Sequence, residues 1–339
     1  MDRKELIDKV VRRIIEHKDR EWAMNIHYWD WVPGVGMYGI YKAWSYTREH
    51  DYYRFIQGWV QEHLHEAYHV KTVNSTAPLL TVVSMIDNTG EKQYLKTCVD
   101  IGDWIIKEAP RTREGGLEHT VTEAGAVFSE QIWADTLFMV CIFLARLGKV
   151  TGVSAYTEEA CRQLLIHHRL LKDKSTGLFY HGWNCENKNW MSGARWGRAN
   201  AWITVSTVEM LDILPKDFKG RQDIIKSLSE QVSAYKKLQR ENGMFGTLLD
   251  HPDSYDETSA AAGIAYGIKK GIKNGYLVNE NNEIWQRAEA AVINQINENG
   301  EVEGVSTGTP VMPSLEAYKK IERYPTLYGQ GLTLLMLCE

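Results

Sequence analysis

Three places in the chain carry residues that could do chemistry. Asp135 lies in Gln131-Ile132-Trp133-Ala134-Asp135-Thr136-Leu137-Phe138-Met139, a single carboxylate beside a tryptophan and ahead of a long apolar stretch. Desolvation there would raise its pKa, and a carboxyl group that keeps its proton near neutrality is what general-acid catalysis needs. The competing reading is a charge at a helix N-terminus, where the macrodipole would lower the pKa instead. Asp87 closes the apolar run that begins at Leu79. It either joins such a site or hydrogen-bonds the next loop. The segment 177–202 combines His181, Arg195 and Arg198 with Trp183, Trp190, Trp196 and Trp202. Rings for stacking, arginine for a carboxylate and histidine for hydroxyls suit an acidic sugar. The alternative is a structural loop that latches the fold.

Other motifs are weaker. Gly34-Val35-Gly36-Met37-Tyr38-Gly39 matches GxGxxG, but a dinucleotide site needs a strand before it and a βαβ unit around it. Trp29-Asp30-Trp31-Val32-Pro33 precedes it, so Pro33 opens a helix and the glycines let another backbone or a ligand approach closely. His63, His65 and His69 fall within seven residues, yet helical spacing points them apart and predicts a solvated face rather than a metal site. His167 and His168 diverge for the same reason. No HExxH, GxSxG or Walker loop is present.

The 339 residues carry a net charge of −5, with 44% hydrophobic and 24% charged residues, an ordinary folded composition. Mild acidity gives no reason to expect nucleic acid or an anionic membrane as partner. The 12 Trp and 17 Tyr outnumber the 7 Phe, a weighting toward rings that bear a polar atom and suit a partly polar ligand such as a sugar. Charges recur through Met1 to Arg20, leaving no signal-peptide core, and no stretch reaches the ~18 apolar residues of a membrane span. Five scattered cysteines without a CxxC pair argue against a disulfide framework and a zinc site. The expectation is a reduced, cytoplasmic protein.

Helical periodicity dominates the elements that must position these residues. Leu6, Val10 and Ile14 make one apolar stripe, and further helices are predicted over 34–49, 51–68, 77–88, 91–108, 130–148, 154–171, 197–213, 220–239, 256–272, 282–297 and 326–337. Residues 177–181 read as a short extended piece. Tight connections alternate with long ones rich in Gly, Asn or aromatics, at 110–129, 172–195, 240–255 and 298–313. Twelve helices in hairpin succession, with the long loops gathered at one end, predict an all-α (α/α)6 barrel over residues 1–339 as a single domain. An open repeat array would show a fixed-period consensus, and none is visible.

At this point the residues carry a family resemblance. The pieces WDWVPGVGMYG (29–39), IWADTLFM (132–139), GLFYHGW (177–183), WGRANAW (196–202), DSYDETSAAAGIAYGI (253–268) and YGQGLTLLML (328–337) resemble the unsaturated rhamnogalacturonyl hydrolases, glycoside hydrolase family 105. They fall in the family's order across nearly the whole chain. The family fold is the (α/α)6 barrel, in agreement with the helix count.

The resemblance implies a role for each matching residue. Asp135 matches the general acid/base and Asp87 the second carboxylate. His181 matches a substrate contact, while Trp196, Arg198 and Trp202 match positions near the sugar, with Arg198 as partner of the uronate carboxylate. Tyr38 is placed on the floor of the site and His119 on the loop before Asp135. The implied substrates are lyase products whose non-reducing uronic acid bears a C4=C5 double bond, most simply unsaturated galacturonyl-rhamnose. Hydration of that enol ether, followed by ring opening, releases the leaving sugar and requires no metal or organic cofactor. The expected partner is this small oligosaccharide, and the expected state a monomer or weak homo-oligomer. Two departures bear on specificity. Ala199 and Ala201 replace usual glycines, and the longer loop 115–129 offers Thr120 where a basic residue is common. Alternatives are the related family 88 unsaturated glucuronyl hydrolases, an inverting glycosidase, a sugar isomerase on a similar barrel, and a non-catalytic sugar-binding protein.

Overall fold

The computed structural model describes residues 2–16 and 21–339. Met1 and 17–20 lie outside them, so the charge pattern read over Met1–Arg20 is only partly described. The helices are α1 (Arg3–Glu16), α2 (Trp31–Thr47), α3 (His50–His63), α4 (Val73–Thr76), α5 (Leu79–Thr89), α6 (Leu95–Lys107), α7 (Ile142–Thr151), α8 (Ser154–Leu171), α9 (Gly197–Ile213), α10 (Arg221–Leu238), α11 (Thr258–Lys273), α12 (Asn282–Ile293), α13 (Leu315–Lys319) and α14 (Leu327–Leu337). Apart from the short α4 and α13, these correspond one for one to the twelve expected helices.

Sequence pattern sorts them into two layers. α2, α5, α7, α9, α11 and α14 are apolar nearly all round and buried, as helices with no solvent face must be. α1, α3, α6, α8, α10 and α12 bury one stripe each and expose charge on the other side. The buried six pack in the cycle α2–α5–α7–α9–α11–α14–α2, and each outer helix lies against its neighbours in that ring. This is the (α/α)6 barrel.

The glycines of the 34–39 motif explain the tightest part of the ring. A Cβ on Gly39 would sit 2.6 Å from Gly331 Cα, and one on Gly34 would sit 2.8 Å from Pro78 N. The motif is therefore a helix-crossing surface, where α2 meets the backbone of α14 and the start of α5, as the close-approach reading expected.

Every inner helix starts at the same end of the barrel, and the long connections predicted from composition gather there. Inner-to-outer turns at the other end are short, as at Gly152, which closes α7 in the left-handed conformation (φ 72°). One expected helix, 130–148, begins differently. Gln131–Trp133 forms strand β1, antiparallel to β2 (Gly182–Asn184), and a π-helical turn, Leu137–Cys141, leads into α7. The extended piece expected at 177–181 thus lies just before a true strand. The histidine trio also differs from the expected solvated face. His63 is buried and bonds Glu66 at 2.6 Å, whereas His65 and His69 stay on the surface. No helix among the described residues is long and apolar enough to cross a membrane.

Candidate active site

The inner-helix N-termini open into a cavity of about 380 Å³, within the range of small-ligand pockets. Asn74, Asp135, Met139, Trp196 and Arg198 line it from the helix starts. Trp22, His119, Phe128 and 307–310 wall it from the loops. Six helix N-termini converge on this end, and their unpaired N–H groups and macrodipoles make it favourable for an anion.

The β1–β2 pair delivers the central carboxylate. Ala134 donates its N–H to the His181 carbonyl at 2.9 Å, which ties the residue before Asp135 to the end of the facing segment. As a result His181 Nε2 lies 3.3 Å from Asp135 Oδ2. The alignment falls short of a hydrogen bond for either atom, so the hold is electrostatic. His119 stacks on Trp133 with ring centroids 4.2 Å apart, and His181 lies 4.3 Å from Trp196. The carboxylate is thereby set among two imidazoles and two indoles.

These neighbours reverse one expectation. Burial works to raise the Asp135 carboxyl, but His181, His119 and Arg198 outweigh it, and the net shift is downward. The free site holds a carboxylate. His119 is pushed down to about 4, chiefly by burial, and His181 is lowered for the same reason. Both imidazoles are therefore neutral near pH 7.

Arg198 lines the cavity but is less available than expected. Its Nη1 donates to the Ser306 carbonyl at 2.9 Å and the Ser306 hydroxyl at 2.6 Å, and its Nη2 to the Thr307 carbonyl at 2.8 Å. It also lies 3.4 Å from Glu257, the N-cap of α11, and is flanked by the rings of Trp196 and Tyr328. The guanidinium thus builds the 306–309 wall, leaving only Nε without a protein partner. Trp196 Nε1 beside it is likewise unpaired.

The structure brings Asp135, His181, His119, Trp196 and Arg198 together and leaves three expected residues elsewhere. Trp202 is fully buried one turn further along α9, packed on Phe138 at 4.6 Å. Tyr38 lies deep in α2 and bonds Glu209 at 3.3 Å. Asp87 is in the last turn of α5, at the opposite end of the barrel, with Lys149 at 2.9 Å and Arg146 at 3.5 Å. Helix direction is the reason. A residue eight positions past the start of an inner helix is ~12 Å down the axis from the cavity.

That opposite end is an ionic plug. Glu209, 1% exposed, meets Lys42 at 2.7 Å and Arg146 at 2.8 Å, and accepts from the Tyr266 hydroxyl. Cations are favoured there because six helix C-termini converge.

Asn74 was missed in the sequence. It lines the cavity, and no protein group bonds its side-chain amide among the described residues. Its available signal was the capping pair Thr72 and Ser75, which nucleates α4 and aims the residue between them.

The Glycosyl Hydrolase Family 88 model matches residues 6–339. The chain is 36% identical over 337 residues to the unsaturated rhamnogalacturonyl hydrolase YesR of Bacillus subtilis, covering 99% of this chain and 95% of that one. It superposes with a TM-score of 0.94 and 32% identity on a possible family 105 member from Salmonella enterica, covering 100% of this chain and 94% of the other. A Clostridium acetobutylicum family 105 glycoside hydrolase, 23% identical, shares the fold with a TM-score of 0.86, over 99% of this chain and 98% of that one. The chain therefore belongs to the family 88 glycosyl hydrolases and, within that group, sits with the family 105 members.

Proposed function

We propose that the protein is an unsaturated rhamnogalacturonyl hydrolase, acting on oligosaccharides whose non-reducing end is a 4,5-unsaturated galacturonate linked to rhamnose. One observation carries the chemistry. Of the carboxyl groups lining the cavity among the described residues, Asp135 alone is set into its wall, while Glu123 is exposed on the rim loop. Direct displacement at C1 calls for two facing carboxylates, ~5–5.5 Å or ~6.5–9.5 Å apart. Hydration of an enol ether needs one group, first acid and then base. The similarity to YesR supports the same substrate class.

In this reading the uronate carboxylate enters the positive end of the barrel. The Arg198 charge, its unpaired Nε and Trp196 Nε1 receive it. Its negative charge and the expulsion of water push the Asp135 pKa up, reversing the downward shift of the free site and loading the proton. Asp135 then protonates C4 as the ring oxygen stabilises the cation at C5. The resulting carboxylate removes a proton from water as that water adds to C5. The C5 hemiketal opens to a ketone, leaving a hemiacetal at C1 that expels the leaving sugar. Asn74 and His119 offer polar atoms for the glycon hydroxyls, and Trp133 and Trp196 offer ring faces. Five free cysteines support a reducing, cytoplasmic setting.

The test follows the ultraviolet absorbance of the conjugated double bond with unsaturated galacturonyl-rhamnose. Absorbance is expected to fall as rhamnose appears. Asp135→Asn is expected to abolish turnover while the disaccharide still binds. An unchanged absorbance here, with loss on a glycosaminoglycan-derived disaccharide, would move the substrate to the glucuronyl class. Near-normal turnover in the Asn variant would remove Asp135 from the mechanism.

A further inference from the structure

The geometry points to Tyr318 as a positioning residue that fixes the proton of His181 on Nε2 and, through it, sets the ionisation of Asp135. This rests on the reading of Asp135 as proton donor. Tyr318 is fully buried in α13, far in sequence from both partners. Its hydroxyl oxygen lies 2.7 Å from His181 Nδ1 and accepts the Met312 N–H at 3.2 Å. A phenol has one proton to give. Ser192 also neighbours that hydroxyl, but its Oγ makes no hydrogen bond among the described residues, so Tyr318 donates and Nδ1 accepts.

A neutral imidazole that accepts at Nδ1 carries its proton on Nε2, and Nε2 is the atom 3.3 Å from Asp135 Oδ2. The ring is held in place by its backbone bonds and by packing on both sides. The His181 backbone N–H donates to the Ala194 carbonyl at 2.9 Å, its carbonyl accepts from Ala134, and Trp133 and Trp196 hold the ring. The other titratable or charged groups facing the pair are His119 across Trp133, Arg198 behind Trp196, and Tyr318 itself.

The orientation matters at the instant of proton transfer. An N–H 3.3 Å from Oδ2, though not aligned as a full hydrogen bond in the free site, places its positive end beside the carboxylate that forms as C4 takes the proton and stabilises it. The other tautomer would aim a lone pair at the same oxygen, keep the proton on Asp135 to higher pH and slow its delivery. The α13 segment thus acts on the reaction without touching substrate, by way of one phenol.

The measurement is nitrogen NMR on protein labelled at histidine, with His181→Gln identifying the signal, together with the pH dependence of kcat on the unsaturated disaccharide. In the wild type the His181 signal is expected to show a proton on Nε2 and none on Nδ1. Tyr318→Phe keeps the ring and removes the donor. It is expected to mix the tautomers, lower kcat roughly tenfold and move the alkaline limb upward by about one pH unit. Loss of packing alone would lower activity without moving that limb. A wild-type signal protonated at Nδ1 overturns the assignment without reference to any variant, and so does a Phe variant with unchanged tautomer and limb. If the disaccharide is not turned over at all, the functional reading fails, while the wild-type signal still decides what Tyr318 does.

Discussion

Asp87 and Glu209 offer a sharp test of how the barrel divides its labour. Family resemblance pairs Asp87 with Asp135 as a second site carboxylate, whereas the structure puts it at the far end. Its nearest partner is Lys149 at 2.9 Å, and that lysine side chain is 56% exposed. Two charges at this distance attract by ~1.4 kcal/mol at the dielectric constant of water. Entropy and salt offset part of this, so Asp87→Asn should cost about 1 kcal/mol, or about 2 °C in Tm for a chain of this size. Glu209 is different in kind. Its removal takes the nearest carboxylate from Lys42 and Arg146, whose side chains are only 16% and 13% exposed, and leaves Arg146 only the longer ion pair with Asp87. Breaking one side of such a buried cluster costs ~3–5 kcal/mol, so Glu209→Gln should lower Tm by roughly 6–10 °C. Thermal scans and kcat/KM on the unsaturated disaccharide read both effects. Both variants should retain kcat/KM within about threefold of wild type while folded, since charge changes far from the reacting atoms leave the transition state untouched. A folded Asp87→Asn protein with activity down a hundredfold would refute the argument from helix direction.

Three further outcomes follow from packing and titration. His119 and His167 are held near 4, and His168 near 3, each chiefly by burial. Their stabilising contribution is complete above the unfolded value of about 6.5 and is lost as pH falls toward 4, by about 3 kcal/mol apiece. Asp30, raised to about 6 by burial, acts in the opposite sense below pH 6 but is one group against three, so Tm should drop between pH 6.5 and 4; a flat profile would contradict the neutral buried histidines. Gly39→Ala should destabilise by about 1–3 kcal/mol because its Cβ would meet Gly331 at 2.6 Å. Gly58→Ala on α3, where nothing lies within 4 Å, should stabilise by about 0.5–1 kcal/mol in the same denaturation assay.

The fold was legible because its signals are long-ranged. Twelve helices either bury one stripe or are apolar throughout, and that contrast survives in any window of residues. The cluster around Asp135 was legible for a related reason, since polar groups placed among tryptophans have few structural uses. The axial position of a residue was not legible. Asp87 and Tyr38 both sit in inner helices, and only the chain's direction through the barrel says which end they reach. The β1–β2 pair escaped because three residues are too few to show alternation, and its effect on Asp135 depends on a partner about fifty residues away. The downward shift of Asp135 escaped because it is the balance of burial against His181, His119 and Arg198, drawn from three separate segments. Arg198 was recognised as a cavity residue, but its bonds to Ser306 and Thr307 join positions more than a hundred residues apart.

The ionic plug gives the barrel a blind end. With Glu209, Lys42 and Arg146 sealing one side and fully buried rings such as Trp202 filling the axis above them, the described residues leave the site open at the helix N-terminal end. A polysaccharide strand cannot thread through the sealed end, so on the proposed function the substrate is presented to the cavity tip first. On that same reading, both products leave by the mouth through which the substrate entered.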